Sequence, residues 1–182
     1  MQTKELHLPP ESPQDPDPVS RLTARLLEEG FRPLHEQEEE WQAIGERVYH
    51  RSEKVSFVRG ETVFVLIDYP ELDQRILQQA MEGQSMLFQA RRKSDRALSV
   101  FQSTTVYVCI VARSESPHTA SLGRYISTAG GAVVIPVVIV PEINQVVYPT
   151  VEEKVGSVRP RIEYLQYILG ERREPVNMHA KT

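Results

Sequence analysis

The chain has 182 residues, of which 40% are hydrophobic and 25% are charged, and this is the composition of an ordinary globular protein. Its formal net charge of -4 gives no electrostatic reason to expect nucleic acid or an anionic membrane as the main partner, and it leaves room for a local basic patch. The single cysteine, Cys109, excludes an intramolecular disulfide. No signal peptide is evident, and the longest apolar run, residues 132–140, is far shorter than the ~20 residues that span a bilayer. These features predict a soluble, cytoplasmic protein.

The distribution of proline and acidic residues divides the chain into one domain and two tails. Residues 1–17 are rich in both, and we expect a disordered tail because such a segment buries too little apolar surface to offset the entropy of ordering. The alternative is a Pro-rich segment that docks into an aromatic groove. Residues 18–170 are predicted to form a single α/β domain, and residues 171–182 a polar C-terminal tail.

Capping residues and helical spacing of apolar residues predict five helices. Asp17 is a good N-cap, Pro18 suits the first helical position, and Gly30 is a natural stop, which together define the first helix. The others are a short helix carrying Trp41, Ile44 and Val48, a long helix from Glu71, a helix capped by Ser116 that ends near Gly130, and a last helix over residues 160–169.

Three apolar runs predict the core of a sheet, at about residues 61–67, 105–112 and 133–140. Because helices are predicted between these runs, the three strands should lie parallel, with right-handed crossovers. Strands at about 54–58 and 145–148 are expected as antiparallel additions, with Arg59-Gly60 as a hairpin turn. Pro136 is awkward in the third run, because proline lacks the N–H that a sheet needs. The predicted fold is an α/β three-layer sandwich with a mainly parallel central sheet.

The carboxyl ends of the three strands are where a site is expected, because ligands of open parallel sheets bind there. The strands exit at Asp68, at Glu115 and at Glu142, and His118 follows in the first turn of the next helix. Carboxylates at one edge could hold Mg²⁺ or Mn²⁺ and activate water for phosphodiester hydrolysis. Asp68, Glu115 and Glu142 are thus the candidate metal ligands, and Asp68, Glu115 and His118 the candidate catalytic residues. The alternative interpretation is that an acid at a strand end only caps the next helix.

The segment from Phe64 to Tyr69, followed by Leu72, resembles the opening of PIN/NYN-type nuclease domains, in which a strand ends in a metal-binding aspartate. The resemblance covers about ten of the 182 residues and implies a metal-binding role for Asp68. The later acidic motifs of that family are not evident, so a fold of that kind would be a degenerate, inactive member. A restriction-nuclease-like core is another candidate, but its carboxylate–x–Lys spacing occurs only at Glu152 and Lys154, in a polar stretch.

Other kinds of site have little support. Cys109 lies in the middle of an apolar strand, where the surroundings raise a thiol pKa, so we expect a core cysteine. Gly130-Gly131 precedes a strand and not a helix, so it lacks the context of a phosphate-binding loop. The five histidines show no zinc-ligand spacing. No resident cofactor is predicted, and Mg or Mn is expected only if the chain is a hydrolase.

Two functional hypotheses follow from the sequence. The first is a non-catalytic or degenerate α/β domain that acts through protein–protein interaction, as a subunit or regulator, with another protein or a second copy as partner. It depends on the lack of a complete catalytic motif and on edge strands, such as residues 145–148, that are templates for pairing. The alternative is a Mg/Mn-dependent phosphodiesterase or nuclease that uses the strand-end carboxylates.

Overall fold

A computed structural model describes residues 2–7, 16–34, 47–55, 58–69, 71–94, 102–114, 116–129, 132–150 and 158–174. The described strands are β1 (Gln2–His7), β2 (Arg32–Leu34), β3 (Arg47–Val55), β4 (Val58–Asp68), β5 (Gln102–Val111), β6 (Ser127–Ala129), β7 (Ala132–Val140) and β8 (Gln145–Thr150). The described α-helices are α1 (Pro18–Glu28), α2 (Gln74–Ser94) and α3 (Arg159–Ile168), and 3-10 helices span Pro117–Tyr125 and Pro141–Ile143.

The first helix begins and ends where its local signals predict. The Asp17 carboxylate accepts a hydrogen bond of 2.9 Å from the backbone N–H of Val19 and so caps α1. Gly30 follows the helix with a φ of 80°, a left-handed conformation that glycine adopts without steric cost. The predicted last helix is α3, and Gly170 follows it with a φ of 81°.

The strands form one mixed sheet, in the order β1-β8-β7-β5-β4-β3-β2, with β6 paired to the start of β7. β5 lies between β4 and β7 and is parallel to both, which confirms the predicted parallel core. Every other pairing of the described strands is antiparallel, so the prediction of a mainly parallel sheet is wrong. The reason is the length of the connections between strands. A hairpin can join only antiparallel strands, and hairpins outnumber the long crossovers that parallel strands need.

The hairpin before the parallel core is longer than predicted. Val55 at the end of β3 is paired with Val58 at the start of β4, so the predicted strand at residues 54–58 is divided between these two strands, and residues 56 and 57 lie outside the described residues. Gly60 is a residue of β4 and not of a turn. Val48, predicted in a helix, belongs to β3, while residues 41–46 lie outside the described residues. Pairing along nine register positions outweighs the local turn signal of one glycine.

Part of the predicted disordered tail is a strand. Residues 2–7 form β1, which pairs antiparallel with all of β8, from Gln2 opposite Thr150 to His7 opposite Gln145. The composition of this segment favours disorder, but the edge of β8 offers it a row of backbone hydrogen-bond partners. The 145–148 strand, predicted as an exposed edge, is therefore covered by the chain's own β1. The other boundaries of the predicted domain and tails stay a prediction.

The segment after β5 also departs from the predicted helix. Ser116 is the cap as predicted, since its Oγ accepts a 3.3 Å hydrogen bond from the N–H of His118. The helix is of the 3-10 type and gives way to β6 before Gly130. β6 pairs with residues 132–134 of β7, and β8 pairs with residues 138–140. Pro136 lies between the residues of β7 that pair with β6 and those that pair with β8. Within the described residues, its missing N–H therefore removes no antiparallel pairing from β7.

Apolar side chains cover both faces of the sheet, which explains the continuous apolar strands. On one face, α1 and α3 pack against residues such as Phe64, Tyr107 and Ile135. On the other face, α2 and the 3-10 helix at residues 117–125 pack against residues such as Val65 and Val108. In the part of the chain that the structure describes, no helix is long and apolar enough to cross a membrane.

Candidate functional site

The carboxyl edge of the parallel core brings the ends of three strands together. The N–H of Tyr69, just after β4, donates a 2.9 Å hydrogen bond to the carbonyl of Val111. The N–H of Ala112, just after β5, does the same to the carbonyl of Ile139. Asp68 ends β4 at this edge, with half of its side chain exposed, and its carboxylate lies 3.3 Å from the guanidinium of Arg47. Asp68 is therefore an exposed acid with a basic neighbour.

The three predicted metal ligands are not shown to converge. β5 separates β4 from β7, and two strand spacings place the backbones of these strands roughly 10 Å apart. Glu142 lies beyond β7 in the turn to β8, where it is exposed. Glu115 lies outside the described residues. Among the residues that the structure does describe, no group of three or more His, Cys, Asp or Glu side chains could hold a metal ion. The metal site stays a prediction.

The structure places the candidate catalytic residue His118 and the predicted core cysteine Cys109 in different surroundings. His118 is half-buried in the first turn of the 3-10 helix, where its backbone N–H donates to Ser116 Oγ and its backbone carbonyl accepts from the Ser121 hydroxyl. Its predicted catalytic role stays a prediction. Cys109 is fully buried in β5, and burial raises the pKa of its thiol. This confirms the prediction of a core cysteine and argues against a nucleophile.

A groove of about 640 Å³ opens on the face of the sheet that α2 covers, beside the start of β7. We call it the α2 groove. Helix α2 forms one wall, the end of the 3-10 helix at residues 117–125 and strand β6 form the other, and the lining side chains are those of Gln78, Met81, Glu82, Arg124, Tyr125, Ile126, Ser127 and Thr128. Its place follows from the register, because Thr128 is opposite Val133, the second residue of β7.

The two walls of the α2 groove carry opposite charges. On α2, Glu82 is exposed and its carboxylate accepts a 2.8 Å hydrogen bond from the Gln78 side chain. On the opposite wall, Arg124 is exposed, and its guanidinium has no ion pair or hydrogen bond within the residues described. Between them, Met81 is buried and Ile126 is half-buried, so apolar surface lines the floor. An arginine free to bind an anion, beside apolar surface, is typical of binding sites and interfaces.

Reasoning from the sequence missed the α2 groove. Residues 125–129 were expected inside a helix, which would have placed Arg124 and Thr128 on a helix surface and left no second wall. The β-branched residue Thr128 and the small residues around it, directly before Gly130, are the signal that could have indicated a strand end.

Comparisons with known proteins assign no relative to this chain. No protein-family model matches it. No curated protein and no solved structure matches it either.

Proposed function

We propose that this chain is a non-catalytic α/β binding domain that holds a segment of a protein partner in the α2 groove, as a subunit or regulator. The observation that carries the proposal is the guanidinium of Arg124 on one wall, which has no partner among the described residues, opposite the Glu82 carboxylate on the other. The scaffold that we infer is a three-layer arrangement, which is supported by the separate apolar clusters on the two faces of the sheet. A cytoplasmic location is part of the same proposal, and cell fractionation tests it.

The chemistry of the groove indicates what the partner segment should contain. An acidic side chain would pair with Arg124, and a charge-assisted hydrogen bond of this kind is stronger than a neutral one. A backbone amide or a lysine would donate to Glu82. An apolar side chain would cover Met81 and Ile126, since the core of an interface excludes water. A volume of about 640 Å³ holds only a few side chains, so the partner should present a short segment and not a broad surface.

Site-directed photo-cross-linking tests the proposal. Thr128→Cys carries a thiol-reactive photo-cross-linker at the mouth of the groove, and Ala24→Cys carries it on the exposed side of α1, across the sheet. The buried Cys109 is not labelled under native conditions. We expect a protein from a native extract to cross-link through Thr128→Cys and not through Ala24→Cys.

The captured protein is then identified, purified and titrated against the wild-type chain and Arg124→Glu. We expect the charge reversal to weaken Kd by at least about tenfold, which corresponds to ~1.4 kcal/mol. Equal cross-linking at both positions, or equal affinity for wild type and Arg124→Glu, would contradict the groove as the site. A strict monomer that captures no protein would contradict the binding function itself.

The metal-dependent hydrolase is retained as the alternative function, because Asp68 stands exposed at the edge where the parallel strands end. A thermal melt with Mg²⁺ or Mn²⁺, compared with EDTA, separates the two functions. For the binding domain we expect the same Tm in all three conditions. A metal-dependent rise in Tm that disappears in Asp68→Ala would favour the hydrolase.

A further inference from the structure

Among the described strands, β1 pairs with β8 alone, and it lies beside the 3-10 helix at residues 117–125. Its six residues are opposite the six residues of β8. In the sequence of β1, Gln-Thr-Lys-Glu-Leu-His, only Leu6 is strongly apolar. A strand that buries little apolar surface detaches at a lower free energy than the core strands, because local stability follows buried contacts. With one strongly apolar residue and one strand partner among the described strands, β1 is therefore expected to detach more easily than the core strands.

Strand β8, in contrast, is held without β1. Val147, Val146 and Gln145 pair with residues 138–140 of β7. Tyr148, further along β8, hydrogen-bonds through its hydroxyl to the carboxylate of Glu171, beyond α3. If β1 leaves, β8 stays in place and presents an unpaired row of backbone N–H and C=O groups, which is a template for another strand.

The connector between β1 and α1 begins and ends at the same corner of the molecule. At one end, His7 is opposite Gln145 in the sheet. At the other end, the guanidinium of Arg21 donates to the side chain of Asn144, the neighbour of Gln145, and also to the carbonyl of Pro16 at 2.9 Å. The Arg21 contacts therefore hold the start of α1 close to Gln145, the residue that is paired with the last residue of β1.

The connector is long enough to span a greater distance than the one between the end of β1 and the start of α1. Residues 8–17 comprise ten residues, which reach ~33 Å when extended. Four of the ten are proline, a composition that favours an extended polyproline conformation and resists folding back. The connector is therefore long enough to carry β1 to the β8 strand of a second molecule, where β1 would make the same backbone hydrogen bonds.

We propose that two copies of this chain associate by exchanging β1, so that the β1 strand of each copy pairs with β8 of the other. The arrangement is symmetric and closes at two copies, because each copy donates one strand and accepts one. In the exchanged dimer, the β1 strand of the second copy occupies the β8 edge that the chain's own β1 occupies in the monomer. The exchange uses the backbone edge of β8, and no residue of β8 lines the α2 groove.

A mixing experiment with two single-cysteine variants tests the exchange. The register places Gln2 opposite Thr150, and directly opposed residues on antiparallel strands have Cβ atoms ~5 Å apart, near enough for a disulfide. Gln2→Cys and Thr150→Cys proteins are mixed, incubated, oxidised and run on a non-reducing gel. We expect a covalent dimer of twice the 20.8 kDa of the chain, which needs β1 of one molecule on β8 of the other.

The matched control mixes Gln2→Cys with Ile143→Cys. Ile143 is exposed but lies before the opposite end of β8, out of register with Gln2. We expect the in-register mixture to give several times more covalent dimer than this control, and light scattering of the wild type to show a dimer fraction that rises with concentration. Equal yields in the two mixtures, or a Gln2→Cys/Thr150→Cys double variant that forms only an internal disulfide at every concentration, would overturn the exchange. Neither outcome affects the cross-linking test at Thr128.

Discussion

The hydroxyl of Tyr107 in β5 donates a 2.7 Å hydrogen bond to the backbone carbonyl of Arg161 in α3. The contact is reciprocated, because the Arg161 guanidinium reaches back to Thr105 Oγ1, also in β5, at 2.9 Å. The Tyr107 ring stacks on Phe64 of the neighbouring strand with centroids 4.4 Å apart. The last α-helix is therefore tied to the parallel core by polar contacts inside an apolar cluster.

Removal of the Tyr107 hydroxyl should destabilise the fold without changing its packing. In Tyr107→Phe the ring stays on Phe64, but the hydrogen bond to α3 is lost, and we expect the free energy of unfolding to fall by about 1–2 kcal/mol. Urea denaturation with an unchanged m value measures this. Tyr125→Phe is the control, because its hydroxyl makes no hydrogen bond within the described residues, and equal losses in the two variants would contradict the role of the Tyr107 contact.

Several buried tyrosines should make the chain sensitive to alkali. Burial raises the pKa of Tyr107 well above its ordinary value of 10.0. Burial also raises the pKa values of Tyr148 and Tyr164, and the hydrogen bond to Glu171 adds to the effect at Tyr148. These phenols stay protonated in the fold but ionise in the unfolded chain, so their stabilising contribution is complete below pH ~10 and is lost as the pH rises beyond it.

A spectrophotometric titration measures this effect. We expect fewer than the seven tyrosines of the chain to ionise near pH 10 in the native protein, and all seven to do so in denaturant. Tyr107→Phe should remove one of the late-titrating groups. Ionisation of all seven at the ordinary pKa in the folded chain would show that the three phenols are not protected.

The cap of α1 should depend on both the shape and the charge of Asp17. Asp17→Ala removes the acceptor of the Val19 N–H bond, and we expect a loss of about 1 kcal/mol in the free energy of unfolding. Asp17→Asn keeps an acceptor oxygen and should lose less. A loss in Asp17→Asn as large as in Asp17→Ala would contradict the capping role.

The difference between wild type and Asp17→Asn should also depend on pH. Burial alone would raise the pKa of Asp17, but hydrogen bonds from the Ser20 hydroxyl and from the backbone of Ser20 and Val19 outweigh it and lower the pKa below 3.8. A lowered pKa means that the charged form stabilises the fold above its unfolded pKa, and that this stabilisation is lost as the pH falls through the folded pKa. Thermal melts between neutral and strongly acidic pH should show the difference disappearing in acid.

Gln145 should be a position where a substitution stabilises the fold. Its side chain is fully buried in β8, and neither amide atom has a hydrogen-bond partner within the residues described. Gln145→Met keeps the shape and removes both unpaired polar atoms, so we expect the free energy of unfolding to rise by about 1 kcal/mol or more. Gln166→Met is the control, because its amide lies 3.5 Å from the Tyr148 hydroxyl. A loss of stability in Gln145→Met would contradict the interpretation that the amide is unsatisfied.

The features that depend only on neighbouring residues could be predicted from the sequence. Asp17 and Pro18 start a helix and Gly30 ends it, because capping needs only the residues of one turn. The three apolar runs are the three parallel strands, because a strand buried on both faces must be apolar throughout. The burial of Cys109 followed from its place in one of those runs.

The features that depend on partners distant in the chain could not be predicted in this way and became visible in the fold. Residues 2–7 have the composition of a tail, yet they form a strand because the edge of β8 is there to pair with them. The α2 groove exists because Arg124 and Thr128 face residues of α2 that precede them by more than 40 positions in the chain. Asp68 ends a strand, as predicted. Whether its carboxylate lies close to other carboxylates depends on the order of the strands, and in this sheet β5 separates β4 from β7. The sequence of one segment says little about its strand partner or about the layer that packs on it, because another part of the chain supplies both surfaces.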